Sequence, residues 1–363
     1  MSDQFIDHAR PVRAGEELDG ERLGIYLYEQ LGGIHGPLTV EQFPSGFSNL
    51  TYLLHLGDRE LVLRRPPFGA NVRGGHDMGR EFRILSHLRP VYAKVPEALL
   101  YCEDEGVLGA PFYIMERVSG VILRAQMAPA MRPDAGQMAG IAHSFVQNLA
   151  DLHGVDVAAA GLTDLGRPDG YVQRQIDGWT ARYAKARTDD IPAMDRAVVW
   201  LADHLPPTHP TAGGACLIHN DYKYDNLILD PADWTQIRAV LDWEMATVGD
   251  ALMDLGTSLG YWVEPNDSEI LRTFQFSPTT LPGNPSRREL VEAYALASGR
   301  NVDHAVFYYV YGLVKLAVIV QQIYRRYKLG HTQDPRFAPL VHVVRACAQT
   351  ALLAIDRNRI DAF

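Results

Sequence analysis

Residues 218–229 read Ile-His-Asn-Asp-Tyr-Lys-Tyr-Asp-Asn-Leu-Ile-Leu, and residues 240–244 read Val-Leu-Asp-Trp-Glu. Transfer of a phosphoryl group from ATP needs a carboxylate beside the acceptor hydroxyl, oxygen ligands for magnesium and a cation near the γ-phosphate. All three are present. Asp221 is the candidate base, or orienting acceptor, for the hydroxyl proton. Lys223 follows as the cation, and Asn226 as a hard oxygen ligand. After a short apolar strand, Asp242 offers the second metal ligand. His, Asp and Asn also favour polar turns between buried strands, and one Asp–Asn pair would signify no more than that. The ordered set does. Reach to the proton matters more for Asp221 than a shifted pKa. His219 is read as fixing backbone by hydrogen bonds, and Glu244 as a support for the metal or a strand-end carboxylate.

The elements that must position these groups begin upstream. Residues 50–56 and 60–64 read as strands joined by the turn Gly57-Asp58. Residues 78–88 space Met78, Phe82, Leu85 and Leu88 as a helix does. Strands follow near 98–102 and 111–118. The run Leu61-Val62-Leu63-Arg64 resembles the V-A-I-K strand that carries a kinase's phosphate-binding lysine. Alternation puts Val62 and Arg64 on one face, so that Arg64 would meet phosphate beneath Val62. Arginine stands here in place of lysine, and its fork suits phosphate oxygens. Glu81, on the helix, is the natural ion-pair partner of Arg64. Ser48, in a segment with a single glycine, is a candidate phosphate contact. Glu116 and Val118, where a hinge is due, would offer backbone groups to adenine, with Met115 behind them. Strand, strand, strand, helix, strand, strand is the order of a kinase small lobe.

After Ser119-Gly120 the character turns helical. Helices are expected over 135–152, 170–185, 303–327 and 339–356, and Ser286-Arg287-Arg288-Glu289 is a capping box whose helix Gly299 stops. Asp250 and Asp254 read as helix-capping residues. Residues 264–285, with four prolines and a glycine, are expected to form a long loop bordering the substrate. The organisation expected is residues 1–118 as a nucleotide-binding lobe and 119–363 as a catalytic and substrate-binding lobe.

The 363 residues carry 47% hydrophobic and 21% charged side chains and a formal charge of −10. These are the values of a soluble globular protein and argue against a nucleic-acid surface. Cys102, Cys216 and Cys347 fit no disulfide framework and no zinc spacing, so a cytoplasmic setting is expected. Residues 1–21 are polar and lack the apolar stretch of a signal peptide. The most apolar stretch, 305–320, carries Lys315 near its middle and reads as a buried helix, with no membrane partner.

Together these residues resemble the aminoglycoside phosphotransferase and choline kinase superfamily, from about Leu38 to the last helix. The subgroup most similar is the kinase-like domain fused to acyl-CoA dehydrogenase family members 10 and 11. It is suggested by Ser48-Asn49-Leu50-Thr51-Tyr52, Val62-Leu63-Arg64-Arg65-Pro66-Pro67 and Tyr222-Lys223-Tyr224-Asp225-Asn226-Leu227. The resemblance implies an α+β, bilobal protein-kinase-like fold, with a small antiparallel β lobe carrying one helix and a larger, mostly helical lobe. It implies use of ATP, or GTP, with magnesium, and phosphorylation of a small-molecule hydroxyl. A protein kinase is disfavoured, because the interval from Asp242 to Asp250 leaves no room for a peptide-docking activation segment.

Two other functions compete: a catalytically silent nucleotide-binding or scaffold protein, and transfer of a nucleotidyl group. Intact Asp221, Asn226 and Asp242 speak against the first. Lys315 bears on the acceptor. A buried lysine is costly unless paired, so it should face a carboxylate or an anionic ligand. At the acceptor end it would favour a hydroxy acid or its acyl-thioester over aminoglycoside or choline substrates. The oligomeric state is not legible.

Overall fold

The computed structural model describes residues 8–32, 36–44, 49–69, 76–207 and 214–363. Their contacts divide the chain into two compact units. The first comprises Met1–Ile122, Ala159–Leu162 and Leu227–Ala246, and the second Leu123–Ala158, Thr163–Asn226 and Thr247–Phe363. The division expected after residue 118 thus falls after Ile122, and the segment bearing Asp242 packs within the first unit. A strand pair made after the catalytic segment folds back onto the sheet side, which no local pattern announces.

The chain begins with α1 (Gly20–Leu31), β1 (Leu38–Gln42), β2 (Leu50–Leu56), β3 (Arg59–Arg65), α2 (Met78–Leu88), β4 (Ala98–Cys102), α3 (Glu105–Leu108) and β5 (Phe112–Glu116). The five strands form one antiparallel sheet in the order β1-β2-β3-β5-β4. The tight turn between β2 and β3 uses Gly57 at φ 60°, a left-handed conformation that costs glycine nothing. It sets Thr51 opposite Arg64 and Leu53 opposite Val62. Leu61 and Leu63 therefore enter the core with Tyr52, Leu54, Leu56 and Ile114, and Val62 and Arg64 take the other face.

α2 has the bounds its periodicity predicts. Asp77 caps it by accepting from Arg80 N, and its buried stripe of Met78, Ile84, Leu85 and Leu88 includes Glu81. α1 and α3 were not expected. α1 exists because Leu23 and Leu27, one turn apart, bury fully in the sheet's core, worth about 1.5–3 kcal/mol each. Its polar flanks mask that signal.

Next come α4 (Ala135–His153), α5 (Tyr171–Ala186), α6 (Pro192–Asp203), β6 (Cys216–Ile218), β7 (Leu227–Leu229), β8 (Ile237–Val240) and β9 (Thr247–Gly249). The chain closes with α7 (Ala251–Tyr261), α8 (Glu269–Thr273), α9 (Arg287–Ser298), α10 (Ala305–Lys328) and α11 (Leu340–Arg357). β7 pairs with β8 in the first unit, and β6 with β9 in the second. In the second unit α7 and α10 cross backbone against backbone. A Cβ on Gly312 would lie 1.9 Å from the Gly256 carbonyl oxygen, and one on Gly256 2.2 Å from that of Tyr308. Most of α10 is buried, as its apolar sequence predicts. The loop expected over 264–285 is interrupted by α8, which Ser268 caps. Buried Arg287 pins that region, its Nη1 donating to Asp267 Oδ2 at 2.6 Å and to the Trp262 carbonyl at 2.8 Å.

Candidate active site

In the first unit, β3 carries Arg64, α2 carries Glu81, and the turn after β8 carries Asp242 and Glu244. These four meet. Arg64 Nη1 lies 2.6 Å from Glu81 Oε1, and Nη2 lies 3.1 Å from Asp242 Oδ1 and 3.7 Å from Glu244 Oε2. The ion pair read between Arg64 and Glu81 is formed, and the same guanidinium also binds Asp242. Burial alone would lower the pKa of Arg64. The carboxylates of Glu81, Asp242 and Glu244 outweigh it and hold the group charged. Asp242 sits at φ 69°, left-handed without being glycine, a conformation that neighbouring contacts must enforce. Here Arg80 of α2 donates from Nη1 to the Glu244 carbonyl at 3.0 Å and from Nη2 to that of Ala246 at 2.5 Å. Asn49 Nδ2 donates to Glu244 Oε2 at 2.7 Å. Neither Arg80 nor Asn49 was singled out as a support, since their partners lie far along the chain.

In the same unit, an apolar pocket is lined by Val62, Met115, Val118, Ile122, Ile228 and Leu241, together with Thr51 and Glu116. Val62, Met115, Glu116 and Val118 are residues the sequence assigned to a base-binding pocket. Ile228 and Leu241 were missed, although each immediately flanks the motif. The Glu116 carboxylate accepts from Glu97 N at 3.0 Å, and the Glu116 amide donates to the Glu97 carbonyl at 2.9 Å. Ser48 lies outside the described residues.

In the second unit, β6 delivers residues 219–226. Asn220 turns the chain at φ 59°. Asp254 fixes the entry, its Oδ2 accepting from His219 N at 2.7 Å and facing His153 Nε2 at 3.1 Å. Asp250 does cap α7, by accepting from Leu252 N and Met253 N. Asp254 does not cap: it is buried beneath the motif, because an uncapped strand end left the His219 amide in need of an acceptor. His219 Nδ1 accepts from Asp221 N at 3.3 Å, a backbone-fixing contact.

Asp221, Lys223 and Asn226 come together. Lys223 Nζ donates to Asp221 Oδ2. Asn226 Nδ2 donates to the Asp221 carbonyl and to Asp221 Oδ2, both at 2.9 Å. Burial would raise the Asp221 pKa, but Lys223, with Tyr261 and His219, holds it below the usual carboxylate value. The group is therefore ionised at neutral pH. Tyr261, at the end of α7, also lies under Lys223, whose Nζ is 5.1 Å from its ring centroid. No spacing rule pointed to Tyr261. Ser277 Oγ donates to Asp225 Oδ1 at 3.1 Å, and Tyr224 Oη to Asn284 Oδ1 at 3.0 Å, so residues 276–284 do pack on the motif.

Lys315 lies against the turn that carries the motif. It is 2% exposed, and its Nζ donates to the Asn220 carbonyl at 2.8 Å and to Thr257 Oγ1 at 3.2 Å. A backbone carbonyl and a hydroxyl each accept from the buried amine, and the Asp221 and Asp254 carboxylates act on its charge.

A family model described as "APH: Phosphotransferase enzyme family" matches residues 39–290. Acyl-CoA dehydrogenase family member 10 of Mus musculus is 36% identical over 332 residues, covering 91% of this chain and 30% of its own length. The chain spans less than half the length of the curated relatives it matches. Among solved structures, a candidate aminoglycoside phosphotransferase of Ralstonia eutropha JMP134 superimposes with a TM-score of 0.79 at 30% identity, over 94% of this chain and 99% of that one. A thermostable mutant of aminoglycoside phosphotransferase APH(4)-Ia, in ternary complex with ADP and hygromycin B, aligns with a TM-score of 0.55 at 15% identity, over 90% and 98% of the two chains. The fold is therefore the α+β, protein-kinase-like one. With the match covering most of its length and both groups of side chains in place, the chain belongs to the phosphotransferase enzyme family.

Proposed function

We propose that the protein is a magnesium-dependent kinase that moves the γ-phosphoryl group of ATP, or of GTP, to a hydroxyl of a small molecule. The observation that carries this reading is Asp221, held ionised between Lys223 and Asn226. Asp221 accepts the proton as the substrate oxygen bonds to the γ-phosphorus, while the bond from that phosphorus to the bridging oxygen breaks and the nucleoside diphosphate leaves. Lys223 supplies positive charge where phosphate charge moves. Arg64, oriented by Glu81, is placed by its chemistry to hold phosphate oxygens. The apolar pocket with Val62, Glu116 and Val118 takes the base, and Ser48 remains a proposed phosphate contact.

The groups that would hold a divalent ion are the Asp242 carboxylate and the Asn226 amide oxygen. Both are hard, as magnesium prefers. Among the described residues no three His, Cys, Asp or Glu side chains form a cage, which suits an ion that takes its other ligands from phosphate and water. When bound, it would neutralise charge on the phosphates.

For the acceptor, we favour a hydroxy acid or its acyl-thioester. The relatives named for acyl-CoA dehydrogenation support that choice, because an acyl chain is the chemistry their name shares. The APH(4)-Ia complex holds hygromycin B, so amino sugars are the competing class. The test is a metabolite library incubated with ATP and magnesium, with phosphorylated products read by mass spectrometry. A phosphorylated hydroxy acid or thioester is expected. Phosphorylation of kanamycin-type sugars alone would overturn the acceptor class, and no acceptor-dependent ADP formation would leave a silent nucleotide-binding module.

A further inference from the structure

We propose that Lys315 is a positioning residue of the phosphoryl-transfer segment: by holding the Asn220 carbonyl from beneath, it fixes the aim of the Asp221 carboxylate. The inference rests on the kinase reading above for its kinetic consequences, but its structural content stands alone. Asn220 is the left-handed residue of the turn and is itself buried. A left-handed asparagine is strained, and a buried carbonyl must find a donor. The amine of Lys315 is that donor, at 2.8 Å. It reaches the turn because Gly312, one helical turn earlier, lets α10 press onto α7 with no side chain between them. Thr257 of α7 then braces the amine at 3.2 Å, and the Trp179 ring of α5 lies 5.8 Å away.

The charge of this amine titrates within the assay range. Burial lowers its pKa to about 8, against Asp221 and Asp254, which raise it; Lys223 and Arg182 push it further down. Asp221 and Lys223 face it from the motif, Asp254 from α7 and Arg182 from α5. Proton loss above that pH removes a positive charge facing Asp221 and weakens the bond to Asn220. An alkaline limb in kcat near pH 8 is expected.

The experiment compares wild type with Lys315→Met, which keeps the apolar stem, and with Thr257→Val. Amide hydrogen exchange across 217–226 should quicken at least tenfold in Lys315→Met, with α9 unchanged. With the acceptor found by screening, kcat should fall tenfold or more, KM for ATP and acceptor should stay within twofold, and the alkaline limb should vanish. Thr257→Val removes an acceptor from the ammonium, so its limb should move to lower pH and its 217–226 exchange should also rise. This variant carries the test if Lys315→Met does not fold. Unchanged exchange with unchanged kcat would overturn the proposal. So would a rise confined to the acceptor KM, which would make Lys315 a binding residue. A wild type that transfers no phosphoryl group would sink the kinase reading, while the exchange data still decide the role of Lys315.

Discussion

Arg64 stands where a lysine was the pattern, and replacing it measures what the fork does. Its two terminal nitrogens engage Glu81 and Asp242 at once, 2.6 and 3.1 Å away. A single ammonium cannot span both. In Arg64→Lys the charge should stay with Glu81, the partner only 1% exposed, and the Asp242 contact should be lost. Asp242 is 31% exposed, so solvent screens that half, which is worth about 0.5–1 kcal/mol. Arg64→Met removes both contacts and leaves Glu81 without its cation in an apolar stripe, a loss of about 3–5 kcal/mol for a broken buried pair. The loss should depend on pH. Burial already raises the Glu81 pKa, and Arg64 opposes that rise. Without Arg64 the folded pKa climbs further above the unfolded one, so the penalty is full at high pH and shrinks as pH falls through the folded value. Guanidinium unfolding at pH 8 and pH 5.5, followed by fluorescence and circular dichroism, measures both effects. A Met variant within about 1 kcal/mol of wild type at pH 8, or equally destabilised at both pH values, would refute a pair closed on Glu81.

Asp221→Asn should leave nucleotide affinity intact and lower phosphoryl transfer by a factor on the order of 10² or more, by steady-state kinetics on the identified acceptor. Because Lys223 holds the Asp221 pKa below its ordinary 3.8, any acid limb belonging to this residue should fall below that pH in the wild-type profile. Asp242→Ala and Asn226→Ala should each weaken ATP binding in magnesium but not in its absence, by calorimetric titration; equal metal dependence in all three proteins would favour the silent module. Gly312→Ala drives a Cβ to 1.9 Å from the Gly256 oxygen and should cost about 3 kcal/mol, the upper part of the range for overpacking. Melting at the wild-type temperature would contradict the close crossing of α7 and α10.

Much of this protein is local and therefore readable. α2 and β4 have the bounds their periodicity assigns, and the capping box at Ser286 opens α9 as expected. Leu61 and Leu63 part from Val62 and Arg64 because a strand alternates by geometry alone. α1 escaped notice because two leucines in a polar stretch make a helix only when a sheet is there to bury them. Asp254 was misplaced, and the backbone partner of Lys315 was not legible, for one reason: a buried polar side chain serves whichever backbone group the turn leaves unsatisfied, and that group is unknown until the turn is folded.

The sequence by itself determined the chemistry of residues 221–226, since carboxylate, amine and amide lie within one turn of chain and meet whatever surrounds them. It also determined those strands and helices whose periodicity is strong, since such a period is a short-range property of the backbone. Only the tertiary structure decided the long-range contacts. Arg64 meets Asp242 across 178 residues, and Lys315 meets Asn220 across 95. The physical reason is that desolvation, not spacing, selects those partners. A buried cation settles on the oxygen that packing has stripped of water, and packing is a property of the whole chain.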